Sequence, residues 1–217
     1  MYRLARSAVL LLTLALAAPA SAISTTYTLT GTVDTVFNNT GQTLPFAPGS
    51  SYSLTMVVDQ TAPDVTADPT AGDYFAITSY SLTLGSFSAS GAPPDLNLVA
   101  VNNADSSPPN DRWLAVIRDD SETLSLPGFL GRPNQWQLAI LQDDTGTAFS
   151  DDSLQVITDL APFSTTRFGF SWFQLIDGVQ TNVNLGGNLE SISATVPEPG
   201  TALLMGAAVF FVARRRS

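Results

Sequence analysis

The chain has no histidine, no cysteine and no lysine; all nine of its basic residues are arginine. Without histidine or cysteine, neither a Ser-His-Asp nor a Cys-His apparatus can be assembled, and zinc loses its usual nitrogen and sulfur ligands. Without cysteine, a chain bound for an oxidising compartment must hold together by burial and hydrogen bonding. Without lysine, lysine–asparagine amide cross-links are excluded. No GxGxxG or Walker-type loop occurs, so nucleotides have no foothold. No period of 20–50 residues marks a repeat architecture, and nothing in the sequence calls for a cofactor.

Positive charge is also scarce where it would matter. Residues 23–196 carry four arginines (Arg112, Arg118, Arg132 and Arg167) against 18 acids, a formal charge of −14. Such a surface repels phosphate backbones and excludes nucleic acid as a partner. It suits solubility outside the cell and contact with cations or neutral polymers.

The two ends differ from the middle. Residues 1–22 read MYRLARSAVLLLTLALAAPASA: Arg3 and Arg6, an apolar stretch from Ala8 to Ala18, then Ala20-Ser21-Ala22. A basic start, a short apolar centre and an A-x-A exit define a secretory signal peptide, with cleavage expected after Ala22 by signal peptidase once the Sec translocon has engaged it. The remaining 23–196 form one extracytoplasmic domain, long enough for a real core.

That middle is a series of alternating runs. In TTYTLTGTVDTVF, Tyr27, Leu29, Val33 and Phe37 fall on one side, and Thr26, Thr28, Thr30, Thr32 and Asp34 on the other. Period two over that length is the mark of a strand with one buried face. Further runs are Tyr52–Asp59, Tyr74–Ser90, Leu96–Val101, Arg112–Arg118, Gln135–Leu141, Arg167–Leu175 and Leu189–Val196. Thr, Val, Phe and Tyr suit half-buried pleats, and no capped helical stretch accompanies them. The expected fold is an all-β antiparallel sandwich, which either a jelly roll or a simpler sandwich satisfies. Trp113, Trp136 and Trp172 lie on the alternating pattern and are expected in the core.

Chemistry in the middle can only be carboxylate chemistry. Acid pairs stand at Asp119-Asp120, Asp143-Asp144 and Asp151-Asp152. A glycosidase needs two carboxylates on opposite sides of a sugar, which adjacent loop aspartates do not supply. Calcium prefers clustered oxygen ligands, making Asp143, Asp144, Asp151 and Asp152 in DDTGTAFSDD the cation candidates. Their spacing does not match an EF-hand, and the competing expectation is a turn in which Asp caps backbone amides. Asn38-Asn39-Thr40 fits the N-glycosylation pattern.

The C-terminus is VPEPGTALLMGAAVFFVARRRS: Pro197-Glu198-Pro199, an uncharged run over 201–213, then Arg214-Arg215-Arg216. As a helix, that run would be about 20 Å long, short of the roughly 30 Å hydrocarbon core. The arginines would stay cytoplasmic as a stop signal and snorkel to extend its reach.

These four features in order (export signal, PEP, apolar helix, terminal arginines) resemble the arrangement of exosortase substrates in Gram-negative bacteria; the resemblance to the PEP-CTERM sorting signal covers residues 196–217, with the signal itself at 197–217. The resemblance implies an inner-membrane intermediate held by a short transmembrane helix and cut near Pro197-Glu198-Pro199 by an exosortase. It also implies a final place at the cell surface or in an exopolysaccharide matrix or biofilm, with no catalytic activity of the domain itself. Two other readings use the same address: a secreted carbohydrate-binding or carbohydrate-cleaving module, and a plain membrane-anchored envelope protein.

Overall fold

The computed structural model describes residues 23–41, 43–92, 96–104, 109–119, 134–176 and 179–197. The signal-peptide residues, Ala20 and Ala22 among them, lie outside this set, as do Glu198, Pro199, the apolar run 201–213 and Arg214, Arg215 and Arg216. Among the described residues the chain is all-β, with no helix long and apolar enough to cross a membrane.

Ten strands account for it: β1 (Ser24–Asn38), β2 (Ser51–Asp59), β3 (Ala71–Phe75), β4 (Ile77–Leu84), β5 (Phe87–Gly91), β6 (Leu96–Ala104), β7 (Asn110–Asp119), β8 (Asn134–Asp143), β9 (Thr165–Ile176) and β10 (Val179–Thr195). They make one compact unit, Ser24–Thr195. Every pairing is antiparallel, and hydrogen bonding is continuous in the order β3-β6-β7-β8-β9-β10-β1-β2-β4-β5.

The two margins of this sheet meet in the sequence. β3 pairs with β6 at one margin and β4 with β2 near the other, yet only Ala76 separates β3 from β4. Ala76 is fully buried, and its carbonyl accepts from the Asp59 amide at 2.8 Å. A chain that steps across in one residue forces the sheet to curl, so strands distant in the pairing order share a core. The Tyr27 ring on β1 meets Trp113 on β7 at 5.7 Å between centroids, although three strands separate them in the sheet. Fully buried Leu29, Leu54, Met56, Leu82, Val99, Leu141 and Phe170 fill the same interior.

Alternation places the strands as their sequence demands. Leu82 and Leu84 are buried while Ser81 and Thr83 between and before them are exposed. Trp113 and Trp172 are fully buried, as their pattern requires; the side chain of Trp136 lies outside the described residues. Three local readings are corrected. The run Tyr74–Ser90 is three strands, broken at Ala76 and at a two-residue turn in which Gly85 adopts φ +57°, a conformation glycine takes without strain. β10 starts at Val179 and runs straight through Gly186-Gly187, ten residues earlier than Leu189. And Phe37 is not on the core face: it is 56% exposed, because a β-bulge has already inverted the alternation.

A strap, residues 149–157, closes over one end of the interior by hydrogen bonds to three strands. The Phe149 amide donates to Asp111 on β7 at 2.8 Å, Tyr74 on β3 donates to the Asp152 carbonyl at 2.9 Å, and Tyr27 on β1 donates to the Gln155 carbonyl at 3.1 Å.

Candidate functional site

The end of the domain is the first feature with functional meaning. β10 holds its pairing with β1 to the last residue, Thr195 opposite Thr26, and Val196 and Pro197 then emerge exposed. Proline donates no amide hydrogen and restrains the preceding residue to extended geometry, so the ladder stops where the tail begins. Among the described residues the hydrogen-bonded sheet ends at Thr195, so a cut at Pro197-Glu198-Pro199 removes none of its described strands.

The second feature is a set of acidic turns. In each, an Asp carboxylate accepts from the backbone and side chain two residues on: Asp59 from Thr61, Asp68 from Thr70, Asp151 from Ser153. This is the local bonding that short polar side chains offer a turn. The hydroxyl of Thr61, then its amide, holds Asp59 below the ordinary carboxylate range; Ser153 does the same for Asp151, and for Asp68 the Thr70 amide leads.

Asp143 is the extreme case. It is 3% exposed and gathers the amides of Thr145 (2.9 Å), Thr147 (2.9 Å) and Ala148 (3.1 Å) together with the hydroxyls of Thr145 and Thr147. These donors, the Thr147 amide foremost and the Thr145 hydroxyl next, hold its pKa down to about 2 against the opposing effect of burial. Asp111, fully buried, stands directly across the β7–β8 ladder from it.

The four calcium candidates therefore serve separate ends. Asp143 is filled by amides and hydroxyls; Asp144 accepts from Gln142 and Ser164; Asp151 caps its own turn; Asp152 lends its backbone carbonyl to Tyr74. Among the described residues no group of three or more acids converges to hold a metal ion. Asn38 of the N-x-T pattern likewise accepts from Thr40 within its own turn.

The third feature was not anticipated. Two bulges interrupt the β1–β10 ladder: Thr30 pairs with Ser191 and Gly31 with Leu189, leaving Glu190 without a partner position, and Asp34 is left over on β1 in the same way. A bulge re-aims its extra side chain. Glu190 is turned over a groove of about 350 Å³ on the outer face of the sheet, shared with Thr30, Thr32, Ser51, Ser53 and Thr83. The Thr32 hydroxyl donates to Glu190 Oε1 at 2.7 Å. Tyr52 lies beneath, its hydroxyl donating to the Asn188 carbonyl at 2.9 Å; burial first, then the negative fields of Glu190 and Asp34, push its pKa up. Asp34 itself faces Arg167 at 3.5 Å. The one sequence signal was the neighbouring GGNLE: paired glycines inside a strand mark a bulge or a close backbone approach.

The folded domain thus ends where a segment opening with Pro197-Glu198-Pro199 begins. Residues 195–217 match the family model of the PEP-CTERM protein-sorting motif. The chain thus carries an exosortase-directed sorting signal, which entails export and a membrane-held intermediate processed by that enzyme. No curated protein and no solved structure matches the chain.

Proposed function

We propose that the protein is a non-enzymatic component of the cell surface or extracellular matrix, exported by its signal peptide, released from the inner membrane by an exosortase, and retained in association with exopolysaccharide. The observation that carries this is the coincidence of two boundaries: the sorting motif begins at residue 195, where β10 ends. The strands supply a disulfide-free domain, read here as a sandwich formed by one curled sheet, and the tail supplies its route.

The residues available support the non-enzymatic reading. Histidine and cysteine are missing from the chain. The groove presents one carboxylate, Glu190, while the nearby Asp34 faces Arg167. A two-carboxylate glycosidase requires a second acid facing the first across the sugar.

Mass spectrometry of the mature protein tests the route. The expected C-terminus lies at or near Pro197-Glu198-Pro199, with every peptide after it missing. Recovery of mature surface protein that still ends in Arg214-Arg215-Arg216 would overturn exosortase processing and leave a plain anchored protein. Replacing the three arginines by alanine is expected to leave the chain uncut, because the short span then loses its cytoplasmic stop.

A further inference from the structure

The outer face of β10, β1, β2, β4 and β5 is a lattice of hydroxyl groups. Register brings Ser191, Thr30, Ser53, Thr83 and Ser88 into one row across five strands. The adjacent row is Ser193, Thr28, Thr55, Ser81 and Ser90. Strand spacing sets neighbours in a row about 4.8 Å apart and successive rows about 6.7 Å apart. Some hydroxyls bond one another, Thr30 to Ser191 at 2.6 Å and Thr28 to Thr55 at 3.3 Å.

The solvent face of a sheet ordinarily carries charge for solubility. Here a domain of formal charge −14 keeps all of it out of these two rows. Where the lattice reaches β10, the bulge sets Glu190 over the groove described above. Its Oε1 takes the Thr32 hydroxyl, and Oε2 accepts from none of the described residues. Farther along β1, Val36 packs against the core, so Phe37 beside it points outward, 56% exposed. The outer face therefore presents rows of hydroxyls, a carboxylate acceptor from β10 and, farther along β1, an exposed aromatic ring.

We propose that this face binds an extended, neutral polysaccharide, with one sugar unit seated in the Glu190 groove. Hydroxyls donate and accept alike, which suits a ligand made of hydroxyls. Threonine methyls and the Phe37 ring supply apolar contact for sugar C–H faces. A volume of about 350 Å³ lies at the small end of ligand sites. A cation would require more oxygen ligands of negative charge than Glu190 provides, and an anionic polymer is repelled by the domain's own field. The ligand class rests on the exopolysaccharide association proposed above; the place on the molecule does not.

The test uses full-length protein purified in detergent and four neutral polymers: amorphous cellulose, dextran, galactomannan and starch, with alginate as the anionic control. Retention on at least one neutral polymer is expected, nearly unchanged between low and high salt. Glu190→Gln is expected to weaken it about tenfold, the equivalent of one charged hydrogen bond. Thr83→Lys, which fills the groove from an exposed position, and Phe37→Ala should weaken it at least as much, with melting temperatures unchanged. Failure on all four neutral polymers overturns the proposal, as does preference for alginate, indifference to all three substitutions, or a concentration-dependent dimer that Thr83→Lys dissolves. Matrix-resident protein that binds none of the polymers sinks this inference alone. Polymer binding by a protein absent from the matrix sinks the proposed function and leaves the binding face standing.

Discussion

Gly31→Ala is expected to destabilise the protein by about 3 kcal/mol or more, the upper range of overpacking, because the added carbon meets backbone. A Cβ at Gly31 would stand 1.9 Å from the Asn188 carbonyl oxygen and 2.7 Å from the Tyr52 hydroxyl. Side chains can sometimes rotate away; this carbonyl cannot, because Asn188 is held in the β1–β10 ladder, opposite Thr32 and next to the bulge, and accepts the Tyr52 hydroxyl at 2.9 Å. The Tyr52 ring is also fixed, stacked on Phe168 at 4.2 Å between centroids with the rings 21° apart. It extends over Gly187 as well, where an added Cβ would meet the Thr32 carbonyl at 2.4 Å and the ring at 3.2 Å. An aromatic side chain thus lies across two glycines of neighbouring strands, restoring the burial that they lack.

Urea unfolding measures the effect, and two companion variants fix its cause. Gly41→Ala, at φ +72° with nothing within 4 Å, has only conformational strain to bear and is expected to cost about 1 kcal/mol. Gly31→Ala combined with Tyr52→Phe removes the hydroxyl clash but not the carbonyl one, and should remain as unstable as the single variant. A Gly31→Ala protein within 1 kcal/mol of the parent would show that the bulge yields, and would remove the argument that it is a rigid mount for Glu190.

The alternating positions were legible because their cause is local. Tyr27, Leu29 and Val33 had to share a face whatever strand paired with them, and Trp113 and Trp172 had to be interior for the same reason. Phe37 shows where that logic stops. Its position follows from the pattern only if the alternation is unbroken, and the break at Asp34 is created by the partner strand around Gly186 and Gly187, far away in the sequence. Glu190 was hidden by the same cause. In isolation it is one glutamate in LESISATV; its aim depends on Thr30 and Gly31 pairing two residues apart on β10. The tail lies at the opposite extreme. A sorting signal is read by enzymes as a linear sequence, so its features are legible without any fold. The acidic turns fall between these cases: Asp-x-Thr and Asp-x-Ser predict their own capping bonds, but nothing local sets Asp143 opposite Asp111.

Asp143 supplies the second large effect. Asp143→Asn should cost on the order of 3 kcal/mol at neutral pH, since it replaces an acceptor of three amides and two hydroxyls by a group that can accept at one atom only. The dependence on pH has a definite sign. The folded pKa, about 2, lies below the ordinary value of 3.8, so the folded state binds this proton less readily than the unfolded chain does. The carboxylate therefore contributes its full stabilisation above about pH 5 and loses it as pH falls through about 4 towards 2. Asp59, Asp68 and Asp151 are depressed as well and weaken both proteins in acid, so the informative quantity is the difference between parent and variant. That difference should be widest at pH 7 and shrink steadily below pH 4. A gap that stays constant to pH 2 would mean that the Asn side chain is failing by shape and not by charge. A gap that is absent at pH 7 would mean that the turn over Thr145–Ala148 holds itself, leaving the strap that follows it anchored by Asp111, Tyr74 and Tyr27 alone.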